Sequence, residues 1–391
     1  MNKDYEVLSF LVTRGEKDSV SVLEKLEHFD KAPYGMNEDS TQEELSRVLF
    51  KLLYSKTIAV NRSDYEKILE ATNSKDNFDL TFKGHGLSLS DHFWFKKENE
   101  NIKYKDINFF ENKWDDSFAR AVLNYDYEAL KNADLNVPDI TTRGWAVKGW
   151  LCEQDGPKLY KLGIDSDNIE EALGEVLASR LAKRLFSEGE YLPYELKEIN
   201  GQYASVSKAM LGIDEELVPL SNFLPFSLYR LFHSEEHSKI KEKQFFEKLL
   251  ELGYKDLYLF FTKITCLRNL SFVNDFHFDN ISMIRNLKTG QMRIAPIYDL
   301  GGAFGGSRTG RNFLSNINKA TYMIIYFVYG NFDPDLDYSW YNPERLDGFE
   351  DEIREVLSKS NFYTPQLIEN IIEVFKYQKS SLDEIAKNKK K

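Results

Sequence analysis

The sequence has little cysteine and no long apolar run. Its two cysteines, Cys152 and Cys266, stand far apart and in no metal-binding spacing, so we expect no disulfide framework and a reducing compartment. The most apolar stretch, residues 322–329, is far shorter than the roughly 20 residues that a membrane-spanning helix needs. The first residues lack the basic and apolar regions of a signal peptide. The sequence therefore predicts a cytoplasmic protein that does not enter a membrane.

Positive charge is also in deficit. The chain has 51 lysines and arginines against 63 acidic residues, which gives a net charge of −12 and a pI near 5.2. The basic tail at residues 387–391 is too short to change this, so a nucleic-acid backbone is not the expected main partner. With 391 residues, of which 42% are hydrophobic and 14% aromatic, the chain is globular and long enough for two or three lobes with sizeable cores.

The most informative positions are two aspartates and an asparagine within residues 274–302. Asn280 follows Asp275 by five residues, and Asp299 comes 19 residues later (299 − 280), directly before a Leu-Gly pair. Protein kinases have the same D-x-x-x-x-N spacing followed by an Asp-x-Gly. There the first aspartate orients or deprotonates the acceptor hydroxyl, and the other two residues hold Mg²⁺ at the phosphates of ATP. The spacing predicts phosphoryl transfer from ATP, with Asp275 and Asn280 as catalytic residues and Asn280 and Asp299 as metal ligands.

The residues around these positions have the pattern of a helix and a hairpin. Residues 256–270 carry apolar side chains at helical spacing, and residues 281–284 and 292–295 alternate as strands around a turn at 286–290. This pattern places Asp275 and Asn280 on a loop before the hairpin and Asp299 at its exit. Surface carboxylates that merely flank a hairpin are the plainer alternative.

Two motifs resemble those of the HipA-like kinases, a family of bacterial Ser/Thr kinases whose founding member is a toxin. The family's D-x-H-x-x-N and P-x-Y-D motifs match residues 275–280 and 296–299. An upstream block, GLSLSD at 86–91 and then INFFEN at 107–112, resembles a block of the branch common in Gram-positive bacteria. The resemblance covers roughly residues 80–310. It implies an ATP- and Mg²⁺-dependent Ser/Thr protein kinase that acts on a protein substrate and, as a toxin, has an antitoxin partner.

The same resemblance implies the fold. We expect an α+β, bilobal protein-kinase-like (HipA-like) fold with an N-terminal α/β extension at residues 1–130, a β-rich N-lobe at 131–210 and a mainly helical C-lobe at 211–391. The ATP site would use residues of both lobes.

Apolar periodicity and capping residues predict several helices directly. One is expected at 43–53, one from a capping-box-like Asp167 to about residue 186, and one at 346–357. A further helix is expected after Thr364, because threonine is a good cap and the proline that follows it suits the first helical position.

The expected N-lobe contains a lysine and a glutamate suited to bind ATP phosphates. Residues 145–152 and 158–162 have the pattern of two paired strands, and a lysine on such a strand reaches the phosphates when a carboxylate holds its ammonium group. Lys161 is the favoured lysine, since Lys158 would face the opposite side of a regular strand. Glu175, on the following helix, is the expected partner of the lysine, and an ordinary solvated glutamate is the alternative.

The segment ahead of the first strand, residues 141–148, is termed the nucleotide loop here. HipA-like kinases have a serine, a glycine three positions later and a lysine four after that, and Thr141, Gly144 and Lys148 match this spacing with threonine in place of serine. The family's serine is an autophosphorylation site, and threonine retains a hydroxyl. Without the family, one glycine would indicate only a turn. A hinge that binds adenine through backbone groups is expected between Ser207 and Met210.

The glycines and arginines at residues 301–311 are expected to form a mobile basic segment in the place of an activation loop. Such a segment would contact the acceptor or the phosphates, or it would simply be flexible.

Three functions fit the sequence. The first is an active Ser/Thr protein kinase, and the second is a kinase-fold enzyme that phosphorylates a small molecule with the same Asp275, Asn280 and Asp299. The third is a pseudokinase that serves as a binding module. The intact base and metal residues weigh against the third.

Overall fold

The structure is a computed structural model. It describes residues 1–14, 19–165, 169–225, 227–228, 231, 239–273, 280–307, 314–315 and 332–389. The chain divides into two compact units. The first comprises Met1–Lys161, Lys208–Val218 and Met283–Arg293, and the second comprises Leu162–Ser207, Pro219–Ser282 and Ile294–Lys391. Both units combine helices with antiparallel strands, which confirms the α+β class. The predicted division into three regions stays a prediction.

The first unit consists of hairpins, short helices and a three-stranded sheet. Its helices and strands are β1 (Leu8–Thr13), β2 (Ser19–Lys25), α1 (Gln42–Ser55), α2 (Tyr65–Ala71), α3 (Asn77–Lys83), α4 (Tyr104–Ile107), α5 (Ser117–Leu123), β3 (Lys148–Glu153), β4 (Gly156–Leu162), β9 (Glu215–Pro219), β10 (Ser282–Asn286) and β11 (Met292–Ile294). β1 and β2 pair antiparallel, and the three-stranded sheet has the order β11-β10-β9. Four of these strands each have one terminal residue in the second unit: Leu162 of β4, Pro219 of β9, Ser282 of β10 and Ile294 of β11.

Helix α1 shows how local sequence and packing agree. Thr41 and Glu44 form a capping box, in which Glu44 accepts from the Thr41 N–H at 2.9 Å and Thr41 accepts from the Glu44 N–H at 3.3 Å. The predicted helix is therefore confirmed, and the cap lets it begin one residue earlier than expected. Its buried leucines pack with valines of the first hairpin in one core cluster.

The hairpin of β3 and β4 is in perfect antiparallel register, with Lys148 opposite Lys161 and Glu153 opposite Gly156. The strand that was expected to begin at residue 145 begins at Lys148 instead. The preceding residues bend into the nucleotide loop, and the Lys148 ammonium group bonds to the Arg143 carbonyl across it at 2.9 Å. An extended chain would move that carbonyl out of reach.

The turn between β10 and β11 forms as its residues predict. The Gly290 N–H donates to the Asn286 carbonyl at 2.8 Å, and Gly290 has a φ of 71°. The Asn286 side chain also accepts hydrogen bonds from the N–H groups of Lys288 and Thr289. The predicted hairpin is confirmed.

The second unit is mainly helical. Its helices and strands are β5 (Ile164–Asp165), β6 (Ile169–Glu170), α6 (Glu171–Leu185), β7 (Glu195–Ile199), β8 (Gln202–Lys208), α7 (Leu220–Phe223), α8 (Lys239–Glu251), α9 (Lys255–Ser271), α10 (Phe349–Leu357) and α11 (Pro365–Lys389). β7 and β8 form a hairpin with its turn at Asn200-Gly201, where both residues have positive φ. Lys208, at the end of β8, belongs to the first unit.

The core of the second unit is built from aromatic and aliphatic side chains of α6, α9, α10 and α11. Phe349 and Phe375 pack with ring centroids 5.3 Å apart, and both are fully buried. The predicted cap of the last helix is confirmed, since the Thr364 hydroxyl accepts from the Leu367 N–H at 3.2 Å. Among the described residues, no helix has both the length and the apolar character that crossing a membrane requires.

Candidate functional site

The hairpin that follows Asn280 brings this residue and Asp299 to the same end of two paired strands. At that end the Ala295 N–H donates to the Ser282 carbonyl at 2.9 Å, and the hydroxyls of Ser282 and Tyr298 also lie 2.9 Å apart. Asn280 stands two residues before Ser282, and Asp299 directly follows Tyr298. The antiparallel register therefore places a carboxamide and a carboxylate at one edge of the second unit.

Asp299 has a left-handed backbone conformation, with a φ of 55°. Its N–H donates to the Tyr194 hydroxyl at 3.3 Å, and the residue is half-buried. Aspartate and asparagine tolerate this conformation better than other residues with a side chain, and such backbone strain is found preferentially at functional sites. Asp275, the expected base, lies outside the described residues, so its placement stays a prediction.

Glu175 is a buried residue of helix α6, in the second unit. It is 0% exposed and accepts a hydrogen bond from the Ser205 hydroxyl on β8. An ordinary solvated glutamate, the alternative at this position, is therefore excluded. A buried carboxylate needs donors or a cation to offset the loss of hydration, which is the property that a lysine-holding glutamate requires. The expected pairing with Lys161 stays a prediction.

A second buried glutamate, Glu171, was missed by sequence reasoning. It is 6% exposed, and a Cβ built on Gly301 would lie 3.2 Å from its Oε2 atom. Glu171 thus lies beside the turn that follows Asp299. It precedes Glu175 by four residues, so the two carboxylates are on one face of α6. That spacing is the signal that would have indicated it.

The glycine-rich stretch after Asp299 is tightly packed as far as it is described. The short 3₁₀ helix Ala303–Gly305 is buried. A Cβ on Gly174 of α6 would lie 2.3 Å from the Ala303 carbonyl oxygen, and one on Gly306 would lie 2.6 Å from that of Glu170. The glycines therefore serve a close approach of two backbones, and the expectation of a mobile segment is wrong for this stretch. The arginines further along lie outside the described residues.

The first unit contains the other predicted phosphate-contacting residues. Lys148 and Lys161 lie on paired strands and are 7% and 9% exposed. The Lys148 ammonium group donates to the Arg143 carbonyl, which draws its side chain over the nucleotide loop. Gly144 has a φ of 111°, and a Cβ at that position would lie 2.3 Å from the Lys148 Nζ atom. The loop in this form therefore requires glycine at position 144.

Thr141 closes the short 3₁₀ helix Pro138–Thr141 and is 7% exposed. Its hydroxyl lies 2.7 Å from the Leu87 carbonyl oxygen and 3.0 Å from that of Pro138. The hydroxyl of the expected regulatory position is thus directed into the first unit in this structure.

Lys158 is engaged within its own hairpin. Its ammonium group lies 2.9 Å from Glu153 and 3.2 Å from Asp155, which agrees with its place as the second choice after Lys161. The two ends of the expected adenine hinge are assigned to different units, Ser207 to the second and Met210 to the first. Their role in binding adenine stays a prediction.

The oxygen-bearing side chains at the hairpin edge are of the type that Mg²⁺ prefers. Among the described residues, no group of three histidine, cysteine, aspartate or glutamate side chains is arranged to hold a metal ion. Mg²⁺ at nucleotide sites usually takes only one or two protein carboxylates, together with phosphate oxygens and water. Asn280 and Asp299 supply a carboxamide and a carboxylate at one half-buried edge, so the residues present fit this ion.

Asp139 is a buried carboxyl two residues before the nucleotide loop. Burial raises its pKa to about 7, against the lowering effects of a hydrogen bond from the Trp150 N–H and of the nearby Arg62. Its Oδ2 atom accepts no hydrogen bond from the described residues. The carboxyl therefore resists ionisation in the folded chain.

We expect the free energy of unfolding to fall more steeply with pH in the wild type than in Asp139→Asn. The pKa is about 7 in the folded chain and 3.8 ordinarily, so the folded state binds this proton more tightly. Its contribution is fully present below the ordinary pKa and is lost as the pH rises through about 7. From about pH 5 to about pH 8, urea unfolding should show the wild type losing about 2–3 kcal/mol more than the variant.

Asp155→Asn is the control for that experiment. Hydrogen bonds from Lys208 and Lys158 lower the pKa of Asp155 to about 2, so its titration is complete before this pH range begins. Its stability profile should run parallel to that of the wild type. A parallel profile for Asp139→Asn would mean that the Asp139 carboxyl is ionised throughout.

Comparison with known proteins gives structural matches alone. No protein-family model matches the sequence, and no curated protein matches it. The crystal structure of a Helicobacter pylori proinflammatory kinase, CtkA, aligns at 13% identity with a TM-score of 0.39, over 62% of this chain and 93% of that chain. A chain from the complex of the Shewanella oneidensis MR-1 toxin–antitoxin system HipA, HipB and operator DNA aligns at 12% identity with a TM-score of 0.44, over 97% of this chain and 94% of that chain.

A chain from a HipA complex is thus among the structures to which this chain is similar. Because both TM-scores lie below 0.5, neither match decides what individual residues of this chain do.

Proposed function

We propose that this chain is an ATP- and Mg²⁺-dependent Ser/Thr protein kinase of the HipA-like type, which transfers the γ-phosphate of ATP to a protein hydroxyl. The observation that carries the proposal is the closure of the hairpin end by Ser282 and Tyr298, whose hydroxyls lie 2.9 Å apart. This contact supports the proposal because Asn280 stands two residues before Ser282 and Asp299 directly follows Tyr298, in the sequence order that kinases use for their metal-binding residues.

Each residue has a role in this proposal. Asn280 and Asp299 hold Mg²⁺, which neutralises charge on the phosphates when bound. Lys148 and Lys161 bind phosphate oxygens, and Asp275 orients the acceptor hydroxyl and takes its proton.

Two glutamates and one backbone segment support or complete the site. Glu175 is the expected holder of the Lys161 ammonium group, and backbone groups between Ser207 and Met210 bind adenine. Glu171 supports the turn after the Asp299 ligand through its place beside Gly301.

Phosphate transfer is tested with purified protein and radiolabelled Mg-ATP, alone and with a lysate of the source organism. We expect label on serine or threonine of proteins, identified by mass spectrometry, and no label with the Asp299→Asn variant. Label on small molecules alone would make the chain a small-molecule phosphotransferase. ATP binding without transfer would leave a binding module.

The proposal includes a toxin role with an antitoxin protein as partner, as the motif resemblance implies. Expression of the wild type in a bacterial host should slow growth, and co-purification from the source organism should recover one protein in constant ratio. Normal growth together with recovery of the chain alone would remove the toxin role and leave the kinase proposal standing.

We expect Gly144→Ala to weaken ATP binding by about tenfold. The added Cβ would lie 2.3 Å from the Lys148 Nζ atom, so the ammonium group must leave its place over the loop. The positive φ adds strain of about 1–2 kcal/mol, which lowers stability slightly. Isothermal titration with a non-hydrolysable ATP analogue measures the affinity, and thermal unfolding measures the strain.

Gly156→Ala is the matched control for this variant. Gly156 has nearly the same backbone conformation, with a φ of 112°, but nothing lies within 4 Å of a Cβ added there. Both variants should lose similar stability, and Gly144→Ala alone should lose affinity. Equal affinities in the two variants would show that Lys148 does not act through this loop geometry.

A further inference from the structure

The GLSLSD block (residues 86–91) is held rigidly in the first unit. Lys56 and Asp91 form an ion pair at 2.7 Å, with side chains that are 2% and 10% exposed. The same ammonium group donates to the Gly86 carbonyl at 3.0 Å, and Asp91 accepts from the Phe93 N–H at 2.8 Å. A buried pair with its hydrogen bonds satisfied fixes both ends of the block in one geometry.

The middle of the block is fixed as well. The Ser90 N–H donates to the Ser88 hydroxyl, and the Ser90 carbonyl accepts from the Leu217 N–H, both at 2.8 Å. Gly86 has a φ of 61°, and a Cβ there would lie 2.1 Å from the Phe95 ring. The Leu87 carbonyl, between these contacts, is therefore a fixed acceptor.

Thr141, the first residue of the nucleotide loop, contacts this block. The Thr141 hydroxyl lies 2.7 Å from the Leu87 carbonyl oxygen, across 54 residues of sequence. Next to it, Ile140 is 0% exposed and packs so closely that a Cβ on Gly84 would lie 2.2 Å from its Cδ1 atom. The Thr141 hydroxyl and the Ile140 side chain together fix the position and the direction of the backbone where the nucleotide loop begins.

The position of Lys148, at the end of the nucleotide loop, depends on how Thr141 places the beginning of the loop. The Lys148 ammonium group bonds to the Arg143 carbonyl, two residues after Thr141. The Asp139 carboxyl accepts from the Trp150 N–H at 2.9 Å, which ties the beginning of the loop to β3. Loss of the Thr141 bond would thus free the backbone that carries the acceptor of Lys148.

We propose that Thr141 is a positioning residue, and that the GLSLSD block serves to anchor the nucleotide loop through the Thr141 hydroxyl. This inference rests on the proposed function, since it gives the upstream block a part in holding ATP. Thr141 acts through the placement of Gly144 and Lys148 and not through its own contact with the nucleotide.

Thr141→Val tests the proposal, because valine keeps the shape of threonine and removes the hydroxyl. We expect its KM for ATP to rise about 5–10-fold, the worth of one hydrogen bond, with kcat at saturating ATP within about twofold of the wild type. Hydrogen exchange of the amides at 142–148 should quicken. Thr141→Ser, which keeps the hydroxyl, should restore both KM and exchange rates.

Thr72→Val is the matched control. Thr72, which directly follows helix α2, is 9% exposed, and its hydroxyl also bonds to a backbone carbonyl, that of Ile68 in α2, at 2.8 Å. This variant should leave KM and loop exchange at wild-type values. If circular dichroism shows that Thr141→Val does not fold, Thr141→Ala removes the hydroxyl and leaves no methyl group in its place.

Two outcomes would overturn the anchoring role. One is a Thr141→Val protein with wild-type KM and wild-type exchange at 142–148, and the other is a Thr141→Ser protein as impaired as the valine variant. A wild type whose melting temperature does not respond to Mg-ATP would instead defeat the proposed function. The exchange measurement in the absence of ATP would still decide whether the hydroxyl orders the loop.

Discussion

Asp299→Asn is expected to abolish Mg²⁺-dependent turnover of ATP while the fold is retained. The variant keeps one oxygen ligand but loses the negative charge, and a metal site supplies several kcal/mol of charge stabilisation to phosphoryl transfer. A fall of at least roughly 10³-fold in kcat follows, since about 1.4 kcal/mol corresponds to a factor of ten. Asparagine also tolerates the left-handed backbone of this position, where φ is 55°.

Thermal unfolding with ATP, in the presence and absence of Mg²⁺, measures this prediction. The wild type should gain melting temperature only when both are present, and the variant should gain little. Asp351→Asn, which removes a carboxylate that is 85% exposed on α10 of the same unit, should behave as the wild type. An equal gain in the wild type and in Asp299→Asn would defeat the assignment of Asp299 as a metal ligand.

Local chemistry made several elements predictable from the sequence. The turn at Asn200-Gly201 formed because both residues accept positive φ, with values of 50° and 75°. The cap at Thr364 and the hairpin after Asn280 likewise depend on residues close in sequence. Such signals place Asn280 and Asp299 at the ends of a hairpin without any knowledge of the core.

Burial of α6 was not predictable in the same way. Its periodicity shows one apolar stripe, yet Glu171 and Glu175 are also buried, because other elements of the second unit cover the rest of the helix. Gly174 approaches the Ala303 backbone so closely that a Cβ added to it would lie 2.3 Å from the Ala303 carbonyl oxygen. This approach depends on tertiary packing alone. The sequence alone does not distinguish a glycine that makes the backbone flexible from one that allows two backbones to pack closely.

The upstream GLSLSD block has no interpretable chemistry in the sequence because its contacts depend on tertiary packing. Its Asp91 side chain binds Lys56 and its Ser90 carbonyl accepts from the Leu217 N–H. The contact with the nucleotide loop that the described residues show is made by a backbone carbonyl, that of Leu87. Every residue has a backbone carbonyl, so the residue type at position 87 does not indicate this contact. Only the fold shows that Thr141 meets the Leu87 carbonyl.

Asp275→Asn is expected to lower phosphoryl transfer by roughly 10²–10⁴-fold, the usual contribution of a positioned base. Asp275 stands five residues before Asn280, at the position from which a kinase aspartate reaches the acceptor hydroxyl. This role is exercised in the transition state and not in holding ATP, so the affinity for ATP should stay nearly unchanged. Single-turnover transfer and titration with an ATP analogue separate the two effects.

The properties that the two variants are expected to lose distinguish the role of Asp275 from that of Asp299. Asp299→Asn should remove the Mg²⁺-dependent gain in melting temperature together with turnover, whereas Asp275→Asn should keep that gain and lose turnover alone. If the protein is a toxin, Asp275→Asn should also relieve growth inhibition on expression. Wild-type phosphoryl transfer by Asp275→Asn would mean that the catalytic interpretation of residues 274–280 is wrong, since the base would then be dispensable for the reaction that the motif predicts.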